Sequence, residues 1–375
     1  MDRPIVSRLL SNLTFCLITL FGAGLILFTK DVSAAATNGI SLCLRVVIPS
    51  LFPFFVLSSL FISSGFAMSL SKFMAKPLRL LFRLPGACSP AIVMGLIGGY
   101  PVGAKTAFDL YDNGSCSAGE CSRLLIFCSN CGPAFIFSAV GASIFGSLKA
   151  GAVIYLCHIA SALLIGMVSG FFSPKTPDRP CTAPASTSQR FPSAFVSSVS
   201  SSFTAMLNVC GFVIFFSSLM AFLKRCGFIS LFIKLLFFLE PKVASALVEG
   251  IFEMTGGVSS VAAAGLGVPG AMALCAFIIG WGGISVHSQV ISLMGDRPIS
   301  MSGYFKGKML HAVISSAMTY AFSIYFLKEA SVCAPIYANG YYIASPMYFI
   351  IVMGIYLALA LLLSFLTMDF GKKAK

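Results

Sequence analysis

Charge is scarce in this sequence. Asp, Glu, Lys and Arg together make up 10% of the 375 residues, while apolar residues make up 58%. Soluble domains carry about a quarter of their residues as charged groups, so this chain lacks the means to cover a folded surface in water. It also lacks any segment long and polar enough for a separate soluble domain. One membrane-embedded domain is the simplest organisation. The net charge of +13 lacks the form that nucleic-acid binding requires, because no basic stripe is interleaved with exposed aromatics. Basic residues stand singly or in small groups between apolar segments, which is how membrane topology is set. The expected surroundings are a lipid bilayer, with no nucleic acid as partner. Thirteen cysteines are an odd number, and most, among them Cys16, Cys128, Cys157, Cys210 and Cys275, lie inside apolar segments. There they act as small packing residues rather than as a disulfide framework.

Enzyme and cofactor motifs are missing as well. Gly98 to Thr106 imitates a phosphate-binding loop, but Ala104 separates Gly103 from Lys105 and no strand–helix context surrounds it. Cys128 and Cys131 have the spacing of half a zinc site without a second ligand pair. Ser285 and His287 are two apart and point to different faces of a helix, which is poor geometry for a nucleophile and its base. No catalytic residue, metal or cofactor is expected, and the chain is not read as an enzyme.

What is abundant is apolar sequence in pieces long enough to cross a bilayer, about 20 residues each. Eight such spans are read at 9–28, 46–66, 121–146, 150–172, 204–223, 270–294, 309–327 and 347–367. The first resembles a signal peptide followed by Ser33-Ala34-Ala35-Ala36, but its length and the intervening Lys30-Asp31 favour an uncleaved span. Two further segments, 91–112 and 243–265, are apolar but divided by Gly98-Gly99-Tyr100-Pro101-Val102-Gly103 and by Met254-Thr255-Gly256-Gly257. Half-length pieces joined in this way read as re-entrant hairpins, whose turns must be buried in protein or line a wet cavity. With the N- and C-termini in the cytoplasm, 17 of the 25 Lys and Arg residues, including Lys105, Lys306 and Lys308, fall on the cytoplasmic side, the direction in which basic residues are biased.

The fold class expected is therefore all-α and polytopic, about eight transmembrane helices plus two re-entrant hairpins in an inverted repeat. Leu57-Ser58-Ser59-Leu60 corresponds to Phe216-Ser217-Ser218-Leu219, Gly98-Gly99 to Gly256-Gly257, and His158 to His311, in the same order and at slowly drifting spacing. Residues 1–45 form a first helix and amphipathic arm, 46–173 the first repeat, 174–193 a Pro/Ser/Thr-rich linker, 194–328 the second repeat, and 329–375 a last helix with a basic tail. Three crossings per repeat, an odd number, insert the second copy upside down. Inverted repeats with discontinuous helices are a pointer to alternating-access transport.

The spans that follow the hairpins are also interrupted, at Ser129-Asn130-Cys131-Gly132-Pro133 and at Gly280-Trp281-Gly282-Gly283-Ile284-Ser285. Four half-helix starts are expected near the bilayer centre: after Pro101, at Pro133 with Asn130 as a nearby cap, after Gly256 and near Ser285. Each offers free N–H donors and roughly half a positive charge, which suits a small anionic solute. The candidate binding residues are Gly99, Tyr100, Pro101, Gly103, Lys105, Ser129, Asn130, Gly132, Thr255, Gly256, Gly257, Gly283, Ser285, His287 and Gln289. Glu253, a carboxylate within apolar sequence, is the candidate for a coupling ion or proton. His158 and His311 are read as helix–helix hydrogen-bonding residues.

Val47-Ile48-Pro49-Ser50-Leu51-Phe52-Pro53-Phe54, Gly98 to Lys105, Ser129 to Pro133 and Gly282 to Val290 resemble the sporulation integral membrane protein YlbJ family. That family sits in the wider nucleoside-recognition or Gate superfamily, related to concentrative nucleoside transporters. The resemblance covers residues 9 to 328. It implies an endospore-forming bacterium, a place in the mother-cell-derived outer forespore membrane, and movement of dipicolinate across it. Dipicolinate is a small dicarboxylate, in keeping with the anion expected from the half-helix starts. The alternatives are a nucleoside-like solute, or a non-transporting scaffold or gate subunit assembled with itself or with other spore membrane proteins.

Overall fold

The computed structural model describes residues 15–173, apart from 17, 64 and 65, and residues 191–326. Its described residues contain helices and no strands. The span expected at 347–367, most of the linker, both termini and the beginning of the first span lie outside them.

The chain enters through α1 (Ile18–Leu27), turns by 97° at Phe28 and continues as α2 (Thr29–Leu42). A π-helical turn leads into α3 (Ile48–Ser63), and α4 (Phe66–Pro77) follows. Another 99° turn, near Arg83–Pro85, precedes α5 (Ser89–Ile97). Then come α6 (Val102–Asp112), α7 (Ala118–Leu125), the short α8 (Pro133–Phe135) continued by a π-helical stretch to Ala142, and α9 (Leu148–Phe171). The second half holds α10 (Phe191–Arg225), α11 (Phe228–Leu235), α12 (Pro241–Phe252), α13 (Met254–Val261), α14 (Val268–Trp281), α15 (Gly283–Met294) and α16 (Ser302–Phe326). Four described stretches are long and apolar enough to cross a bilayer, or six when each sharply bent pair counts as one span. The protein is a multi-pass, all-helical membrane protein.

Local sequence explains the punctuation. Ser117 and Glu120 close a capping box on α7, each side chain meeting the other residue's backbone N–H. Pro90, Pro133, Pro241 and Pro269 stand in the first turns of α5, α8, α12 and α14, where a missing N–H costs nothing. Phe195, Phe203, Leu207 and Phe215 of α10 are exposed, an outward apolar face that suits lipid rather than water.

The two halves present the same order of elements: a span, a basic short helix, a helix–break–helix pair, a second broken pair and a long helix. Ala118 and Val268 open the second pairs and Pro133 and Gly283 open their second arms, at equal separation in the chain. The equivalence of Gly98-Gly99 with Gly256-Gly257 is corrected by the structure. The first pair lies in a turn, whereas the second lies within the first turn of α13. Two further boundaries move. Helix α10 begins at Phe191, inside the stretch read as linker, and α16 begins at Ser302, so Lys308 lies within a helix and not ahead of a span.

Candidate functional site

Helix α5 ends where Gly98 and Gly99 cannot sustain it; Gly99 adopts φ +82°, and Tyr100-Pro101 is a cis peptide. Helix α6 then restarts at Val102 with no side-chain cap. The two arms close on a backbone carbonyl from the next element. A Cβ added at Gly95 or Gly103 would lie 1.7 or 1.9 Å from the Cys128 oxygen, so only glycine permits this approach.

After α7 the chain is non-helical from Ile126 to Gly132. Asn130 does not cap α8 as expected. Its amide Nδ2 donates back to the Phe127 carbonyl at 2.8 Å, and Gly132 occupies the cap position without a side-chain bond. The Cys131 N–H donates to His158 Nε2 at 3.0 Å, satisfying one donor freed by the break.

The second half breaks differently. Glu253 is extended (φ −143°, ψ 117°) between α12 and α13. Its two carboxylate oxygens accept from the Thr255 and Gly256 N–H groups at 2.9 and 2.6 Å. The stretch read as a turn, Met254 to Gly257, is thus the first turn of α13, with Glu253 as its cap. Gly282 and Gly283, at φ +89° and +83°, separate α14 from α15, so the final half-helix starts two residues before Ser285.

These breaks converge. A Cβ on Gly132 would meet Gly99 Cα at 3.0 Å, one on Gly283 would meet the Met254 nitrogen at 3.1 Å, and one on Gly282 would meet the Tyr100 ring at 3.4 Å. Tyr100 joins the halves, its hydroxyl donating to the Ile279 carbonyl at 2.9 Å. Between them lies a cavity of about 270 Å³, lined also by Leu42 of α2, Phe54 of α3 and Val209 and Val213 of α10. Of the residues expected to bind, Gly99, Tyr100, Gly132, Thr255, Ser285 and Gln289 line it, and Glu253 lines it with them. No Lys or Arg is among its lining residues.

The remaining expectations fall behind the wall. Pro101, Gly103, Gly256, Gly257 and Gly283 shape the backbone around the cavity without lining it. Ser129 and Asn130 are buried, and Ser129 Oγ and Asn130 Oδ1 have no hydrogen-bond partner among the described residues. Lys105 is buried and already engaged, its ammonium bonded to Asp109 at 2.7 Å and to Ser59 Oγ at 2.9 Å. It is therefore not a free counter-charge for a solute. His287 Nδ1 lies 2.9 Å from Tyr304 Oη, away from the cavity lining.

The sequence reading placed Lys308 on the cytoplasmic side, just ahead of the span at 309–327, and not at the site. In α16 it is 1% exposed. Its ammonium donates to Tyr100 Oη, to the Ser129 carbonyl at 3.0 Å and to His311 Nδ1 at 3.3 Å. His311 Nε2 in turn bonds the His158 carbonyl at 2.9 Å, tying α16 to α9. A helix opening at Ser302 places position 308 nearly two turns within it, which was the available signal.

Residues 44–148 match the family model described as nucleoside recognition, Gate. That stretch runs from the start of α3 through the first hairpin pair and its following break. The chain is also 28% identical, over 306 residues and 75% of both chains, to the sporulation integral membrane protein YlbJ of Bacillus subtilis (strain 168). The resemblance is shown on both counts. No solved structure matches.

Proposed function

We propose that this Gate-domain, YlbJ-like membrane protein is an alternating-access transporter of a small organic anion, with dipicolinate as its solute during spore maturation. Its two halves, 46–173 and 194–328, would insert in opposite senses, with eight spans in all and both termini in the cytoplasm. The outer forespore membrane is the location that the resemblance implies.

One observation carries the reading: four interrupted helices, two from each half, bring residues at or just beside their breaks to the lining of one cavity. Unwound backbone inside a bilayer is tolerated only where protein or a wet cavity satisfies it, and paired discontinuous helices are the construction from which solute sites near the midplane are made. The volume, at the small end of ligand pockets, suits a single-ring solute. The two N–H bonds that the Glu253 carboxylate accepts at the start of α13 are the kind of contact a solute carboxylate would make at an uncapped helix start. The Gate description favours a nucleoside-like solute as the second reading.

Purified protein in liposomes, offered dipicolinate and a nucleoside separately, tests the proposal. Dipicolinate uptake above protein-free vesicles is expected, and Thr255→Val, Ser285→Ala and Gln289→Leu, all at lining positions, should each lower it about tenfold or more while remaining inserted, an effect of the size expected when one hydrogen bond to a charged group is lost. Uptake of the nucleoside alone would replace the solute. Unchanged flux and normal spore dipicolinate content in all three variants would favour the scaffold.

A further inference from the structure

The charge of Lys308 follows from its partners. Tyr100 Oη donates its own proton to the Ile279 carbonyl, and so accepts from Lys308. The Ser129 carbonyl can only accept. His311 donates from Nε2 to the His158 carbonyl, which leaves Nδ1 as an acceptor toward Lys308. Three acceptors surround one nitrogen, and only the ammonium form has three protons to give them. A neutral amine would leave one acceptor buried without a donor.

This cation has no acidic partner among the described residues. The described carboxylates are committed elsewhere or exposed: Asp109 is paired with Lys105, Asp112 with Arg297, Glu249 with Lys224 and Asp31 with Arg225, Glu120 and Glu253 cap α7 and α13, and Glu240 and Asp296 are exposed. A buried, uncompensated charge in a membrane protein is costly and marks a functional site by default. Its position gives the function. The ammonium lies 4.6 Å from the centre of the Tyr100 ring, and Tyr100 is a wall of the cavity. Cys131, another wall residue, bonds His158 in the same network.

We infer that Lys308 is the positioning charge that makes the cavity select anions, acting through the Tyr100 ring and not by contact with the solute. A solute carboxylate held in the cavity beside Tyr100 would be its missing counter-charge. In a water-poor interior a fixed charge at such a separation biases binding on the order of tenfold or more. The inference rests on the transporter reading above and assigns its selectivity to one residue. It also explains how a cavity whose only lining charge is Glu253 could favour an anion.

The test compares dipicolinate with its uncharged diamide, pyridine-2,6-dicarboxamide, on reconstituted protein. The unaltered protein should prefer the dianion. Lys308→Met should lower the ratio of dianion to diamide flux at least tenfold, and Lys308→Arg, which keeps the charge, should restore most of it. A merely structural lysine would lower both fluxes together and leave the ratio alone, which would overturn the assignment. If Lys308→Met does not accumulate in membranes, the unaltered protein decides: equal handling of dianion and diamide removes the role of Lys308. Uptake of neither compound would instead sink the transporter reading itself.

Discussion

The first half breaks its helices with proline and leaves the restarted N-termini without side-chain caps, at Val102 and Pro133. The second half uses Glu253 to cap α13 and two left-handed glycines to restart α15. The same order of elements therefore ends in different electrostatics. A carboxylate already holds two N–H donors of the second hairpin, whereas α6 of the first hairpin starts without a side-chain cap among the described residues. Charge follows the same division, since the buried ammonium of Lys308, although carried by α16, is bonded to Tyr100 and Ser129 of the first half. The asymmetry leaves the second hairpin as the part with an internal ligand.

Substitution at the hairpin arms should break this comparison most severely. Gly103→Ala would push a Cβ to 1.9 Å from a backbone oxygen, and a loss of about 3 kcal/mol or failure to accumulate is expected from such overpacking. Gly256→Ala, in the second hairpin, meets side-chain oxygens alone, of Glu253 at 3.2 Å and of Glu249 at 3.9 Å, and thermal unfolding in detergent should show a loss below about 1 kcal/mol.

A smaller effect sharpens the electrostatic contrast. Glu253→Ala should cost about 1 kcal/mol of stability through the lost cap. Glu253→Gln retains an acceptor for one N–H and removes the like charge from the wall. Uptake titrations with dipicolinate should then show a severalfold lower half-saturation concentration; a higher one would assign Glu253 to binding rather than to capping.

The smallest effect concerns the contact between halves at the rim. Arg297 bonds both oxygens of Asp112, which links α6 to the α15–α16 loop. The Asp112 carboxylate holds the Arg297 guanidinium above its ordinary value. Both groups are partly exposed, so Asp112→Asn should lower stability by only about 0.5 kcal/mol, measurable as a slight shift in the same unfolding curve.

Breaks with a strong chemical signature were legible in the sequence. Gly98-Gly99 before Tyr100-Pro101, and Gly132-Pro133 in mid-span, each forbid a continuous helix by backbone chemistry alone, and both stand where they were expected. The second hairpin was misplaced by a few residues because its break is a single extended glutamate followed by a helical turn that contains glycines. Composition suggested a turn, while the cap geometry of Glu253 decided otherwise. Lys308 was invisible for another reason. Whether a basic residue near a helix start faces the interface or the interior depends on which neighbours pack over it, and Tyr100, Ser129 and His311 are brought there only by the tertiary fold.

The opposed insertion of the two halves is tested most directly by cysteine labelling at the loops that close the two hairpins. Asn113 and Ala263 are both exposed and occupy these corresponding loops. With a membrane-impermeant thiol reagent, and the unaltered protein as background, Asn113→Cys should react only from the cytoplasmic face and Ala263→Cys only from the opposite one. Reaction of both from the same face would contradict the account.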